Sequence, residues 1–166
     1  MGIVPRDNEK FFDKKHILVS KTDTKGLIRY ANREFLKIVD FPESEMIGKP
    51  HNIIRHPDMP KVVFKILWEN LQKEKEVHAY VKNLSSDGSY YWVFANVTPS
   101  YDVKRDVIGY HSARRYPSSE ALEVIKPLYK KLIELEKSSS PKVSEEYLNN
   151  LLKEKGMEYD EFILSI

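Results

Sequence analysis

Hydrophobic and polar positions change period several times along this chain, and each change marks an element. His16-Ile17-Leu18-Val19-Ser20-Lys21-Thr22-Asp23 is rich in β-branched residues and predicts a strand. Thr24-Lys25-Gly26 supplies turn chemistry, and Leu27-Ile28-Arg29-Tyr30 resumes as the second strand of a hairpin. Asn32 is placed to cap a helix over Arg33 to Val39, in which Phe35, Leu36 and Val39 share one face. Pro42 to Ile47 reads as a short acidic helix closed by Gly48. Beyond Pro60, helical spacing returns, with Phe64, Leu67, Trp68 and Leu71 on one side. Period two then takes over from Val77 to Leu84 and from Tyr90 to Pro99, around the turn Ser85-Ser86-Asp87-Gly88. After a further turn at Asp102 to Asp106, Val107 to Tyr116 predicts the last strand.

Two strands, several short helices and three more strands predict an α+β domain with one five-stranded antiparallel sheet and short helices on one face. Residues 1–15, charged around Phe11 and Phe12, read as an N-terminal helical arm, and residues 16–117 as the central domain. Ser118 opens a C-terminal helix over 118–137, residues 138–142 (Ser-Ser-Ser-Pro-Lys) form a linker, and 143–166 is a helical tail.

Composition narrows the function classes. A formal charge of +2 from 27 basic and 25 acidic residues carries no polyanion signature, so nucleic acid is not an expected partner. No run approaches the roughly 18 apolar residues that span a bilayer, and the polar start is unlike a signal peptide. A cytoplasmic protein without direct membrane insertion is the expectation. Cysteine is absent, which removes disulfides, thiolate metal sites and cysteinyl–flavin photochemistry.

The chemistry concentrates in Gly48-Lys49-Pro50-His51-Asn52-Ile53-Ile54-Arg55-His56-Pro57-Asp58-Met59-Pro60. Three prolines keep this stretch from being a helix interior or a central strand. Rigid backbone bearing two imidazoles, a guanidinium and a carboxylate suits a site that fixes a polar ligand; a surface loop with Arg55 paired to Asp58 is the alternative. His51 and His56 lack the spacing of a helical zinc pair and have no third ligand, and no nucleophile–base pair is visible, so neither a metal site nor an enzyme is expected.

These strings resemble a known family. Asp23 to Asn32, Phe35 and Ile47-Gly48-Lys49 follow the general PAS pattern. The string from Pro50 to Pro60, then Phe64, Trp68, Val81-Lys82-Asn83, Gly88, Tyr91-Trp92-Val93, Ala95 to Pro99 and Pro127-Leu128-Tyr129, is similar to the Aer-type flavin-binding PAS domains of aerotaxis receptors, over about residues 16 to 132. The resemblance implies a PAS fold holding FAD non-covalently and acting as a redox or energy-taxis sensor. Without a membrane segment the chain is similar to the stand-alone partners of two-protein systems, in which a membrane-anchored methyl-accepting chemotaxis-type transducer receives the signal. A homodimer is also compatible with the fold.

The resemblance implies a cofactor-binding set of Arg55, His56, Asp58, Phe64, Trp68, Asn83, Asn32 and His51. Trp68 would stack on a planar ring beside Phe64, although on its chemistry alone an indole on an apolar helix face is more often core. Asn83 has the amide donors and acceptor to meet a flavin's pyrimidine edge. Arg55 is the anion binder, and His56 a donor to the cofactor. Asp58 is expected to orient Arg55 or cap the helix after Pro60, His51 to shape the loop, and Asn32 to act first as an N-cap. Competing readings are a cofactor-free module dimerising through Phe11, Phe12 and the outer sheet face, a haem sensor ligated by His51, His56, His78 or His111, and a small flavoenzyme.

Overall fold

The computed structural model describes residues 2–166. Its sheet has the order β2-β1-β5-β4-β3 and is antiparallel throughout: β1 Leu18–Thr22, β2 Ile28–Ala31, β3 Val77–Leu84, β4 Tyr90–Tyr101 and β5 Val107–Arg115. Between β2 and β3 run α1 Arg33–Val39, α2 Glu43–Met46, a 3-10 turn His51–Ile54, and α3 Lys61–Gln72. After β5 come α4 Ser119–Ser138, α5 Pro141–Lys155 and α6 Tyr159–Ser165. The α+β expectation therefore holds element by element. No helix of the described residues is long and apolar enough to cross a membrane.

Alternation on the strands separates two faces. Val77, Ala79, Val81 and Asn83 on β3 lie opposite Val97, Ala95, Val93 and Tyr91 on β4, and this set faces inward toward α1 to α3. Tyr110, Ser112 and Arg114 continue the inward set on β5, paired with Thr22, Ser20 and Leu18 on β1. Thr22 and β5 approach so closely that a Cβ on Gly109 would sit 2.0 Å from the Thr22 carbonyl oxygen.

The outward set at β3 and β4 (His78, Tyr80, Trp92, Phe94) is covered by the chain's own C-terminal helices. Tyr129 of α4 donates its hydroxyl to the Tyr80 carbonyl at 2.6 Å, and Trp92 lies against the Tyr129 ring. Asp160 of α6 accepts from the His78 backbone N–H at 2.7 Å and meets its Nδ1 at 2.9 Å. Leu148, Phe162 and Ile163 are buried, so the tail folds back on the domain. The β3–β4 part of the outer sheet face expected for dimerisation is thus covered within one chain.

The arm departs from the helical expectation. None of its described residues is helical: Arg6 N–H donates to Gly88 O, Tyr90 N–H to Asn8 O, and Lys10 N–H to Tyr90 O. The arm thereby pairs with the start of β4, which local patterning cannot reveal. Gly88, at φ +89°, is required there, since a Cβ would lie 2.1 Å from the Val4 carbonyl oxygen. The linker also contracts to Ser139 and Ser140, because Pro141 starts α5.

Candidate functional site

A cavity of about 190 Å³ lies between α3 and the inward face of the sheet. Phe64, Leu67, Trp68 and Leu71 of α3 form one wall, and Val81, Asn83, Ala95 and Val97 the facing wall. Tyr110, Ser112 and Arg114 of β5 close one side, and Pro50, His51 and Asn52 another; Arg55 stands at the mouth. Trp68 meets the Tyr110 ring edge-on, with ring centroids 5.6 Å apart, and packs over Gly26, whose φ of +82° turns the β1–β2 hairpin. The result is a slot walled by aromatic and β-branched side chains with polar groups at its far edge, a usual arrangement for a planar ligand.

Arg114 dominates that polar edge. It is 5% exposed, with no carboxylate within ion-pair distance among the described residues. Its Nη2 donates to Ser20 Oγ at 3.0 Å and lies 2.8 Å from His51 Nε2. Its Nη1 is buried without a partner. Burial lowers its pKa to about 10, which leaves it charged at neutral pH. Tyr91, fully buried opposite Asn83, also leaves its hydroxyl unpaired; the Asn83 amide lies beside it but outside hydrogen-bonding geometry. A buried cation without a counter-charge and a buried hydroxyl without a partner are costly, unless a ligand satisfies them.

Of the eight residues implied by resemblance, five line the cavity: His51, Arg55, Phe64, Trp68 and Asn83. Among the described residues Arg55 makes no ion pair, and its guanidinium stacks on Phe64 with Cζ 3.5 Å from the ring centroid at the mouth. His51 does more than shape its loop. Burial first, then the Arg114 charge, depresses its pKa to about 3. The imidazole is therefore neutral, and its Nε2 accepts from Arg114.

Three residues fall outside. His56, placed by resemblance as a donor to the cofactor, turns away: its Nδ1 accepts from the Asp58 backbone N–H at 3.0 Å and its ring faces Tyr90. Its pKa falls to about 4, chiefly through burial, with Lys82 adding to the effect. Asp58 neither orients Arg55 nor caps α3. Its carboxylate lies 3.4 Å from Lys82 Nζ, while the first N–H groups of α3, on Lys61 and Val62, donate to the Glu136 carboxylate of α4 at 3.0 and 3.2 Å. Asn32 serves its capping role, since its Oδ1 accepts from Phe35 and Val19 and its Nδ2 donates to Ile17 O, and it does not line the cavity.

The 55–59 segment has a structural task too. His56 N–H donates to Lys82 O, and Arg55 bridges Asn83, so the proline-rich string covers the open edge of β3. Sequence reasoning missed Arg114, Ser20 and Tyr91. The available signal was phase: Tyr110, Ser112 and Arg114 alternate on one face, and a charged residue in an inward phase marks a site. Among the possible haem ligands, only His51 borders the cavity, and its Nε2 faces the Arg114 cation. Among the described residues no group of three potential metal ligands is clustered.

Comparison with known proteins agrees with this architecture. Residues 28–114 match the family model described as the PAS fold. The chain belongs to the PAS family. It is 38% identical over 115 residues to the aerotaxis receptor of Escherichia coli K12, an alignment spanning 69% of this chain and 22% of the receptor. A nitrogen fixation regulatory protein of Klebsiella pneumoniae is 19% identical over 103 residues, 62% of this chain and 21% of that protein. The chain thus spans about a fifth of these relatives. The fold is shared with the light-state LOV domain of the blue-light photoreceptor Aureochrome1, at TM-score 0.60 and 18% identity over 66% of this chain and 88% of that one. A PAS domain from Colwellia psychrerythraea gives 0.56 at 18% identity, over 61% and 86%.

Proposed function

We infer that this PAS domain is a redox sensor that binds FAD non-covalently, with the flavin ring in the α3–sheet cavity. The observation that carries the reading is that Arg114, a buried cation whose Nη1 has no partner, lines an aromatic-walled slot together with Asn83. A flavin's pyrimidine edge offers acceptors to Arg114 and a donor–acceptor pair suited to Asn83. Arg114 and Asn83 fit that edge, and Trp68 and Phe64 fit the ring's flat face. The cavity is smaller than the roughly 300–1,000 Å³ of drug-sized ligand sites, which suits enclosure of the ring alone with the chain to the phosphates leaving past Arg55 and Lys25 at the mouth. FAD rather than FMN follows from the sequence resemblance to Aer-type domains. One of the solved LOV domains that share the fold was studied with a flavin analogue.

The bound flavin supplies reversible electron uptake, which adds negative charge at its ring edge. Arg114 favours that charge, since a unit opposite charge at contact distance is worth about 4 kcal/mol at an effective dielectric near 20. Neutral His51 and Ser20 hold the guanidinium in place from behind. Asn83 sits on β3, whose outward residues His78 and Tyr80 hold α6 and α4, so a changed hydrogen bond at Asn83 reaches the C-terminal helices through one strand. The signal passes to a separate membrane-anchored chemotaxis-type transducer, with the sensor in the cytoplasm.

The test is an absorption spectrum of purified protein before and after chemical reduction, with chromatography of the released chromophore. Twin flavin bands that bleach on reduction and release FAD support the reading. A haem Soret band, or a colourless protein that refuses added FAD, overturns it.

A further inference from the structure

A second concavity, of about 500 Å³, lies on the opposite side of the 55–59 segment, between the outward face of β3–β4 and α4. Four lysines line it: Lys82 from β3, and Lys126, Lys130 and Lys137 from α4. Asp58 and Glu134 are its acids. Lys82 is 3.4 Å from Asp58, whereas Lys126, Lys130 and Lys137 form no ion pair among the described residues. At 1.5 Å per residue the α4 lysines span about 16 Å of one helix ridge. Four lysines against two acids leave the groove with a net positive charge, concentrated on the α4 ridge.

We propose that this groove is a docking surface for an acidic segment of a partner protein, whose carboxylates pair with Lys126, Lys130 and Lys137 and compete with Asp58 for Lys82. The chemistry favours a peptide over a nucleotide. Trp92 at the groove floor is 5% exposed, and Lys126 Nζ stands 6.0 Å over its ring. Lys82 Nζ covers the Tyr90 ring at 4.2 Å. No open aromatic face is left for a base to stack on, while the ammonium groups remain at the surface for carboxylates. The groove also touches the cavity wall through one strand: Lys82 lies between Val81 and Asn83, both of which line the cavity, and its carbonyl accepts the His56 N–H. Docking at Lys82 therefore bears on the strand that walls the site, and it does so whether or not the cavity ligand is a flavin.

The experiment measures binding of a fluorescein-labelled poly-L-glutamate peptide by anisotropy, with zero-length carbodiimide cross-links mapped by mass spectrometry. Lys126→Glu/Lys130→Glu is compared with Lys104→Glu/Arg105→Glu at the β4–β5 turn, which makes the same charge change away from the groove. All four positions are exposed, so both variants keep the fold, which circular dichroism checks. The expected result is a loss of about tenfold or more for the groove variant alone, with cross-links concentrated on Lys82, Lys126, Lys130 and Lys137. Equal losses in both variants, or cross-links spread over the surface, would overturn the proposal, as would AMP displacing the peptide at lower concentration than free glutamate does.

Discussion

Replacing Arg114 by methionine is expected to lower flavin affinity without lowering stability. Arg114 is held by Ser20 and His51 on one nitrogen and by nothing on the other. Its pKa falls from 12.5 to about 10, a penalty on the order of 3 kcal/mol at 1.36 kcal/mol per unit. Because the folded-state pKa of this base is depressed, that penalty is fully present below about pH 10. Methionine has similar length, removes the buried charge, and leaves His51 Nε2 within reach of the Ser20 hydroxyl at 3.0 Å. The two lost hydrogen bonds offset most of that penalty, so the flavin-free protein is expected to be about as stable as wild type, in line with other replacements of buried ionic groups by apolar ones. The flavin loses a charge-assisted hydrogen bond worth about 1.5–3 kcal/mol, a fall in affinity of roughly ten- to a hundredfold. Urea unfolding of stripped protein reads the first effect and FAD titration the second. A flavin-free variant clearly less stable than wild type would show that Arg114 is structural. An unchanged FAD affinity would remove it from the site.

Three further outcomes follow from the same geometry. Trp68→Ala opens one face of the slot and is expected to weaken FAD by about 1–3 kcal/mol of stacking while the far-ultraviolet spectrum stays native; equal FAD affinity would return Trp68 to a packing role. His51 and His56 both have folded pKa values depressed below 6.5, so their contribution to stability is present above that pH and lost as pH falls toward 4 and below. Each is expected to cost on the order of 2–3 kcal/mol between about pH 6.5 and 4.5, and His51→Gln, which can still accept from Arg114, should flatten that dependence in urea titrations; an unaltered slope would contradict the burial argument. Glu136→Ala removes the side-chain cap on the two first N–H groups of α3 and is expected to cost about 1–2 kcal/mol, with Glu136→Gln intermediate; no shift in the urea midpoint would show that solvent caps α3 equally well.

Much of the fold was legible because each element carries a local signal. Asn32 announces α1 by its capping chemistry, Phe64 to Leu71 announce α3 by period, and Gly88 announces the β3–β4 turn. What escaped depends on pairing across long separations. The arm reads as helical from its own residues, yet residues 6–10 pair with β4 instead, because the backbone of Tyr90, some eighty positions away, supplies their partners. Glu136 caps a helix 75 residues earlier, and no local pattern foretells that. The candidate site was half visible. Phe64, Trp68 and Asn83 were legible by type and spacing, but the 3-10 turn after Pro50 sends His51 into the cavity and His56 to the far side of the loop. Arg114 lies next to Arg115 near a strand end, where two arginines read as a solvated terminus. Only the sheet register shows that the first points inward and the second does not.

Flavin binding at Arg114 is tested by a crystal structure of the protein loaded with FAD, reading the distance from Arg114 Nη1 to its nearest flavin acceptor. The ring is expected between Trp68 and the sheet, with that distance in the hydrogen-bond range of about 2.7–3.2 Å and the Asn83 amide on the same edge. A ring seated elsewhere, or an Arg114 Nη1 still without a partner in the loaded protein, would contradict flavin binding at Arg114.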